Sequence, residues 1–154
     1  MQKIKPCLWF DGKAQEAAEF YVSVFGGDSR IVDITYYTEA SPGEPGTVLT
    51  VDFVLAGQEY IGLNGGPQFT FSEAVSLSVD CEDQAEVDRL WAAFTEDGEE
   101  SMCGWLKDKY GFSWQIVPRA LHEVLSDPDK AKSERAVKAM MGMRKLDIQA
   151  LRDA

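Results

Sequence analysis

The chain predicts an α+β fold of two βαβββ modules followed by a C-terminal helical extension, and three observations carry that expectation. The first is an internal repeat. Residues 49–64 and 103–118 both read as hairpins, and laying Gly57 on Gly111 places Tyr60 on Trp114, Ile61 on Gln115 and Leu63 on Val117. Self-similarity of this kind marks duplication of a smaller unit. The second is a matched pair of amphipathic segments: Ala17, Phe20, Tyr21 and Val24 in one, Val87, Leu90, Trp91 and Phe94 in the other, at helical spacing. The third is the change after Pro118 from strand-like alternation to a helical pattern.

Each element has its own signal. Residues 4–10 form a short apolar run ending at Asp11-Gly12, and the helix over 14–25 stops at Gly26-Gly27. Residues 30–38 are rich in β-branched and aromatic side chains, which suit a strand, and Ser-Pro-Gly-Glu-Pro-Gly then reads as a loop. Strands over 48–55 and 59–63 flank Ala56-Gly57-Gln58, and Asn64-Gly65-Gly66-Pro67 closes the first module.

The second module opens at 74–81, where Val75, Leu77 and Val79 alternate with Ser76, Ser78 and Asp80, a strand with one apolar and one polar face. Asp83 precedes a helix over 84–95, and two aromatic-rich strands then surround an Asp-Lys-Tyr-Gly turn, with this copy shortened between its second and third strands. The modules therefore span about 1–66 and 67–118, and the helical extension spans 119–154. In that extension Asp127 is the expected N-cap with Pro128 at the first helical position, Val137, Met140 and Met141 form an apolar stripe, and a short helix starts at Asp147 with Ile148 and Leu151 inward.

Composition bounds the function. At 154 residues and 45% hydrophobic content the chain has room for one domain or two small modules sharing a core, not for separate cofactor and substrate domains. A net charge of −11 argues against nucleic acid and anionic membrane as partners, since both need neutralising Lys and Arg. The acidity is uneven: residues 1–118 carry a net of −13 and residues 119–154 a net of +2. The tail can thus lie against an acidic body, its own or a second subunit's, although solvated helix faces give the same count. With no apolar leader and no run of 18 apolar residues, a cytoplasmic location is expected. Cys7, Cys81 and Cys103 lack paired spacing, sit in apolar stretches and read as reduced, buried thiols, while the single histidine, His122, is an ordinary surface or packing residue.

The motifs LWFDGKAQEAAEFY, CEDQAEVDRLW and CGWLKDKYGFSWQIVP, set in two βαβββ modules, resemble the vicinal oxygen chelate superfamily of glyoxalase I, bleomycin-resistance proteins and extradiol dioxygenases. Within it the chain is similar to the PhnB-like branch, whose domain is often labelled 3-demethylubiquinone-9 3-methyltransferase; the likeness covers residues 3–118, and the KLDIQAL segment matches the branch's helical tail. The resemblance implies curled mixed sheets, each forming half of a cleft, and ligand sites in dimer clefts. Metal-dependent members place His and Glu ligands on the first and last strands of each module. Here those places fall at Lys5, Ile61, Ala74 and Gln115, none of them a His or carboxylate, with Glu59 and Glu73 nearby. No metal and no cofactor is therefore expected. Nor does Asp11-Gly12 or Asn64-Gly65-Gly66-Pro67 sit in a nucleotide-binding βαβ unit, so the methyltransferase label meets its own obstacle.

Given that fold, strand alternation marks the cavity-facing residues: Lys5, Cys7 and Trp9; Glu59, Ile61 and Leu63; Ser76, Ser78, Ser113, Gln115 and Val117. Leu8, Phe10, Val75, Leu77, Val79, Trp114 and Ile116 should pack under the helices. Trp105, Phe53, Phe69 and Phe71 are rim candidates, equally suited to core or dimer contact. The ligand-binding set drawn from these, with Cys103 added, is Lys5, Cys7, Trp9, Glu59, Ile61, Ser76, Ser78, Cys103, Trp105 and Gln115. Such a lining suits a neutral or cationic organic molecule with an aromatic portion. The leading expectation is a metal-independent, homodimeric small-molecule-binding protein. The alternatives are an enzyme using Glu59, Cys103 or Lys5 as acid, base or nucleophile, and a dimeric interaction protein with a vestigial cavity.

Overall fold

A computed structural model describes residues 2–154, and the chain divides into a compact unit ending at Thr70 and a second running Phe71–Ala154. In the first unit β1 (Cys7–Phe10) leads through α1 (Ala14–Phe25) to β2 (Arg30–Tyr36), β3 (Val48–Leu55) and β4 (Gln58–Asn64). The sheet order is β1-β4-β3-β2. β1 runs parallel to β4, with Cys7 opposite Ile61, and the other pairs are antiparallel.

The second unit repeats the plan with β5 (Ser76–Cys81), α2 (Gln84–Thr95), β6 (Glu99–Glu100), β7 (Trp105–Lys107) and β8 (Ser113–Pro118) in the order β5-β8-β7-β6. Its parallel pair sets Ser78 opposite Gln115. The alignment of Ile61 with Gln115 is thus reproduced in three dimensions: each lies on the strand that pairs in parallel with its module's first strand. Gly57 and Gly111 both adopt positive φ, +86° and +81°, which explains why the repeat is anchored on glycine.

One face of each sheet is apolar and lies under its helix. Leu8, Phe10, Val51, Phe53 and Tyr60 are buried with Ala14, Ala17, Ala18 and Tyr21 of α1, and Phe53 stacks on Tyr60 with ring centres 5.4 Å apart. Phe53, a rim candidate by sequence, is therefore core, because residue parity on β3 puts it with Val51 under α1. In the second unit Trp114 stacks on Phe94 of α2 at 4.6 Å. Complete burial of side chains this large contributes roughly 1.5–3 kcal/mol each.

The helix starts differ between the copies. Asp83 caps α2 by accepting a hydrogen bond from the Glu86 backbone N–H at 2.9 Å. α1 begins after Lys13, which has no capping side chain, and Asn64 at the end of β4 supplies the acceptor instead, its Oδ1 taking the Ala14 N–H at 2.9 Å.

Several expectations are corrected. Val75 is 64% exposed and precedes β5, so it packs under no helix. The tail holds three helices, α3 (Arg119–Leu125), α4 (Lys130–Met141) and α5 (Ile148–Asp153). α4 is capped by Asp129, not Asp127, because Asp129 Oδ1 accepts from the N–H groups of Ala131 and Lys132, whereas Asp127 accepts from Asp129 in the preceding turn. Ala136 is the buried residue of α4, and Val137 and Met141 face outward at 38% and 60% exposure. Asp147 does cap α5.

The tail is part of the second unit. Leu121, Leu146 and Leu151 bury with Val117, and Met140 and Met143 pack against them. Lys145 pairs with Asp88 at 2.8 Å and Arg144 with Glu100 at 3.5 Å, so the basic tail rests on the chain's own acidic surface. Gln84 fastens it further, donating to the Leu146 carbonyl and accepting from the Ile148 N–H.

Candidate functional site

The face of each sheet opposite its helix collects the sequence-predicted residues. In the second unit the register aligns Ser78, Gln115 and Trp105 in one row across β5, β8 and β7, and Ser76, Ser113 and Lys107 in the next. Gln115 donates its amide N–H to Ser76 Oγ at 3.0 Å. Ser113 is 1% exposed and its hydroxyl has no hydrogen-bond partner among the described residues. Lys107 is bound to Glu73 at 2.7 Å; the hydrogen bond between them raises the lysine pKa and lowers that of the carboxylate. The face thus offers hydroxyls, an amide, an indole surface and a neutralised ion pair.

The corresponding rows in the first unit are Cys7, Ile61, Asp52 and Asp33, then Trp9, Leu63, Thr50 and Thr35. Asp33 directly opposite Asp52 is a like-charge pairing, unfavourable unless a cation or solvent answers it. Cys7 is exposed rather than buried, yet partial desolvation by the surrounding strand raises its thiol pKa and the Asp52 carboxylate raises it further, which makes it a poor nucleophile. Trp9 donates Nε1–H to the Gly66 carbonyl at 2.9 Å and meets Phe69 edge-on at 4.9 Å, so both Trp9 and that rim aromatic belong to the strand end.

The other predicted residues are placed as follows. Lys5 lies two residues before β1, half-buried. Glu59 holds the N-terminal segment, its Oε2 accepting from the Gln2 backbone N–H at 2.8 Å. Cys103 lies outside β7, in the turn before it, where its φ is +59° and its thiol donates to the Met141 sulfur at 3.7 Å. The structure therefore groups Ser76, Ser78, Trp105 and Gln115 on one face and Cys7, Trp9 and Ile61 on another, and separates Cys103 from both. Sequence reasoning missed Asp52, Asp33 and Lys107. Their signal was available, since Lys107 is two residues from Trp105 and Asp52 shares parity with Thr50.

Neither group implied by the fold's relatives fits these residues. A divalent metal needs three or four converging N, O or S donors. Ile61 and Gln115 occupy the paired inner positions, and among the described residues no three His, Cys, Asp or Glu side chains are placed to hold an ion. A methyl donor of the nucleotide type calls for a parallel sheet with a glycine-rich strand-to-helix turn. Here each sheet has a single parallel pair, and α1 leads to β2 at the far, antiparallel edge. No described helix is long and apolar enough to cross a membrane.

Comparison with known proteins agrees with the geometry. The 3-demethylubiquinone-9 3-methyltransferase family matches residues 2–117. A solved structure from Bacillus cereus, described as a putative 3-demethylubiquinone-9 3-methyltransferase, PhnB protein, is 42% identical, with 76% of this chain and 99% of that one covered and a TM-score of 0.69. The Pseudomonas aeruginosa protein PA1353 is 21% identical over 77% of this chain and 98% of its own, with a TM-score of 0.62, a likeness of fold. No curated protein matches the chain. The family match, the Bacillus cereus relative and the two βαβββ units together place this chain in the 3-demethylubiquinone-9 3-methyltransferase family, the PhnB-like branch of the vicinal oxygen chelate superfamily.

Proposed function

We propose that the chain is a metal-independent small-molecule-binding protein, working as a cytoplasmic homodimer, whose open sheet faces take a neutral or cationic organic ligand with a flat portion. The observation that supports this most directly is the row Ser78, Gln115, Trp105, in which an amide stands where metal-dependent relatives need a carboxylate and an indole lies one strand away. Trp105 offers a flat apolar surface, while Gln115 and the serines orient polar atoms. The acidic pair Asp33 and Asp52 favours cationic groups on the other face.

A thermal-shift screen with flat aromatic molecules tests the reading. A ligand at about 100 times its Kd stabilises by roughly 2.7 kcal/mol, and Gln115→Leu and Trp105→Ala should each abolish the response. A silent panel counts against binding and favours a vestigial cavity. Metal analysis of protein purified without chelator should show below about 0.1 equivalent, and stoichiometric metal that survives dialysis rejects metal independence. A monomer at all concentrations in sedimentation rejects the dimer.

A further inference from the structure

We propose a second binding site in the first unit, separate from the open sheet faces, that takes a hydrophilic organic cation of amino-sugar type. A cavity of about 650 Å³ lies where β1 and β4 end, α1 begins and the loop from β2 to β3 folds back. That volume is in the range of small-molecule sites, about 300–1,000 Å³. Its side chains include Asp11, Gln15, Tyr37, Thr47, Asn64 and Gln68, and none of the ten residues assigned to the sheet faces lines it.

The walls are tied together by the protein's own hydrogen bonds. Asn64 joins three elements, accepting from the Ala14 N–H and donating to the Val48 carbonyl at 3.1 Å, and the Tyr37 hydroxyl donates to the Asn64 carbonyl. The loop is closed at its base by the Tyr37 N–H to Thr47 carbonyl bond at 2.8 Å and the Gly46 N–H to Tyr37 carbonyl bond at 2.9 Å. Backbone makes up part of the wall at Gly65 and Gly43, where a Cβ would lie 2.3 Å from the Trp9 ring and 2.5 Å from the Tyr37 ring. The cavity is therefore preformed and depends on glycine at both positions.

The lining chemistry selects the ligand. Asp11 is the one charged side chain around the cavity, is exposed, and makes no hydrogen bond or ion pair with the described residues. No Lys or Arg lines the site, and the first N–H of α1 is already taken by Asn64, so an anion would find no counter-charge. A protonated amine at Asp11 gains a partner, and the net charge of −11 raises the local concentration of cations. The remaining lining mixes the amides of Gln15 and Gln68 and the hydroxyl oxygens of Tyr37 and Thr47 with the apolar surfaces of Tyr37, Pro42 and Val48, a combination that suits a sugar ring, which presents both hydroxyls and C–H faces.

Isothermal titration at low ionic strength with glucosamine, and with glucose as its neutral counterpart, tests the site. Glucosamine should bind one equivalent at least about tenfold more tightly than glucose. Asp11→Asn should erase that preference while circular dichroism stays unchanged, and Thr47→Phe should block both sugars by filling the cavity. Equal affinity for the two sugars, no heat from either at millimolar concentration, or a preference that survives Asp11→Asn overturns the proposal. Asp11→Asn should leave the response to the aromatic panel intact, so failure here and failure of the sheet-face reading remain distinguishable.

Discussion

Asp108 organises the hairpin that marks the second copy, and replacing it should destabilise the chain more than any surface change. Its side chain is 3% exposed. Oδ1 accepts from the backbone N–H of Tyr110 at 2.9 Å and of Phe112 at 3.1 Å, and Oδ2 accepts from Trp114 Nε1–H at 2.9 Å. One carboxylate thus closes the Asp-Lys-Tyr-Gly turn and fixes the indole that stacks on Phe94. Asp108→Ala leaves buried donors at Phe112 and Trp114 without acceptors. Each unsatisfied donor costs about 1–3 kcal/mol, and because the three bonds share one carboxylate the total should be about 3–5 kcal/mol rather than their sum. Asp108→Asn keeps one acceptor oxygen but turns an NH2 toward a donor, at a cost of about 2–3 kcal/mol, or a fall in Tm of roughly 5–10 °C for a chain of this size.

Urea unfolding followed by tryptophan fluorescence and far-ultraviolet circular dichroism measures both variants. In a Trp114→Phe background the indole donor is gone, so Asp108→Asn should cost at least about 1 kcal/mol less than in the wild type. A midpoint for Asp108→Asn within about 0.5 kcal/mol of wild type, or additivity with Trp114→Phe, would refute the account.

Thiol reactivity should separate the three cysteines. Burial, followed by the charges of Glu86 and Asp80, pushes the Cys81 pKa up to about 12. A disulfide reagent near pH 8 should therefore label Cys103 first and Cys7 more slowly, and reach Cys81 only on unfolding; native-state labelling of Cys81 at the rate of Cys103 contradicts this. The tail should loosen in acid. Hydrogen bonds from Lys145 and then Gln84 hold the Asp88 carboxyl below its ordinary pKa. The stability it confers is complete above the unfolded value of about 3.9 and is lost as pH falls through the lower folded value. Urea midpoints of wild type and Lys145→Met should accordingly differ near neutrality and converge as pH falls below the unfolded value and through the lowered folded one; a constant gap would exclude the linkage.

Much of the fold was legible because its signals are local. α1 and α2 were expected over 14–25 and 84–95, and those are their limits in the structure, since the spacing of Tyr21 and Val24, or of Leu90 and Phe94, suits burial only as a helix. Strand parity likewise sorted Leu8 from Trp9 and Trp114 from Gln115. It failed at Val75, which lies just outside a regular strand, and at Val117, expected to face the cleft but covered by Leu121, Leu146 and Leu151 of the tail, because side-chain direction alone does not say what packs over a strand end. The cap of α4 was misplaced by two residues because Asp127 and Asp129 are chemically equal candidates, and the preceding turn decides between them.

The amino-acid sequence by itself determined the duplicated βαβββ plan and the two helix-covered sheet faces, because both follow from residue type and periodicity along the chain, while the meaning of Ile61 and Gln115 as places where metal-dependent relatives hold ligands came from the family resemblance. Tertiary structure alone decided which long-range partners meet. Asn64 caps a helix 50 residues away, Gln84 and Asp88 hold the tail, and Asp11 comes to line a cavity whose other wall is the loop after Tyr37. Those pairings turn on a single hydrogen bond or charge apiece, carry no periodic signature, and arise only when the burial of the periodic faces has brought the segments together.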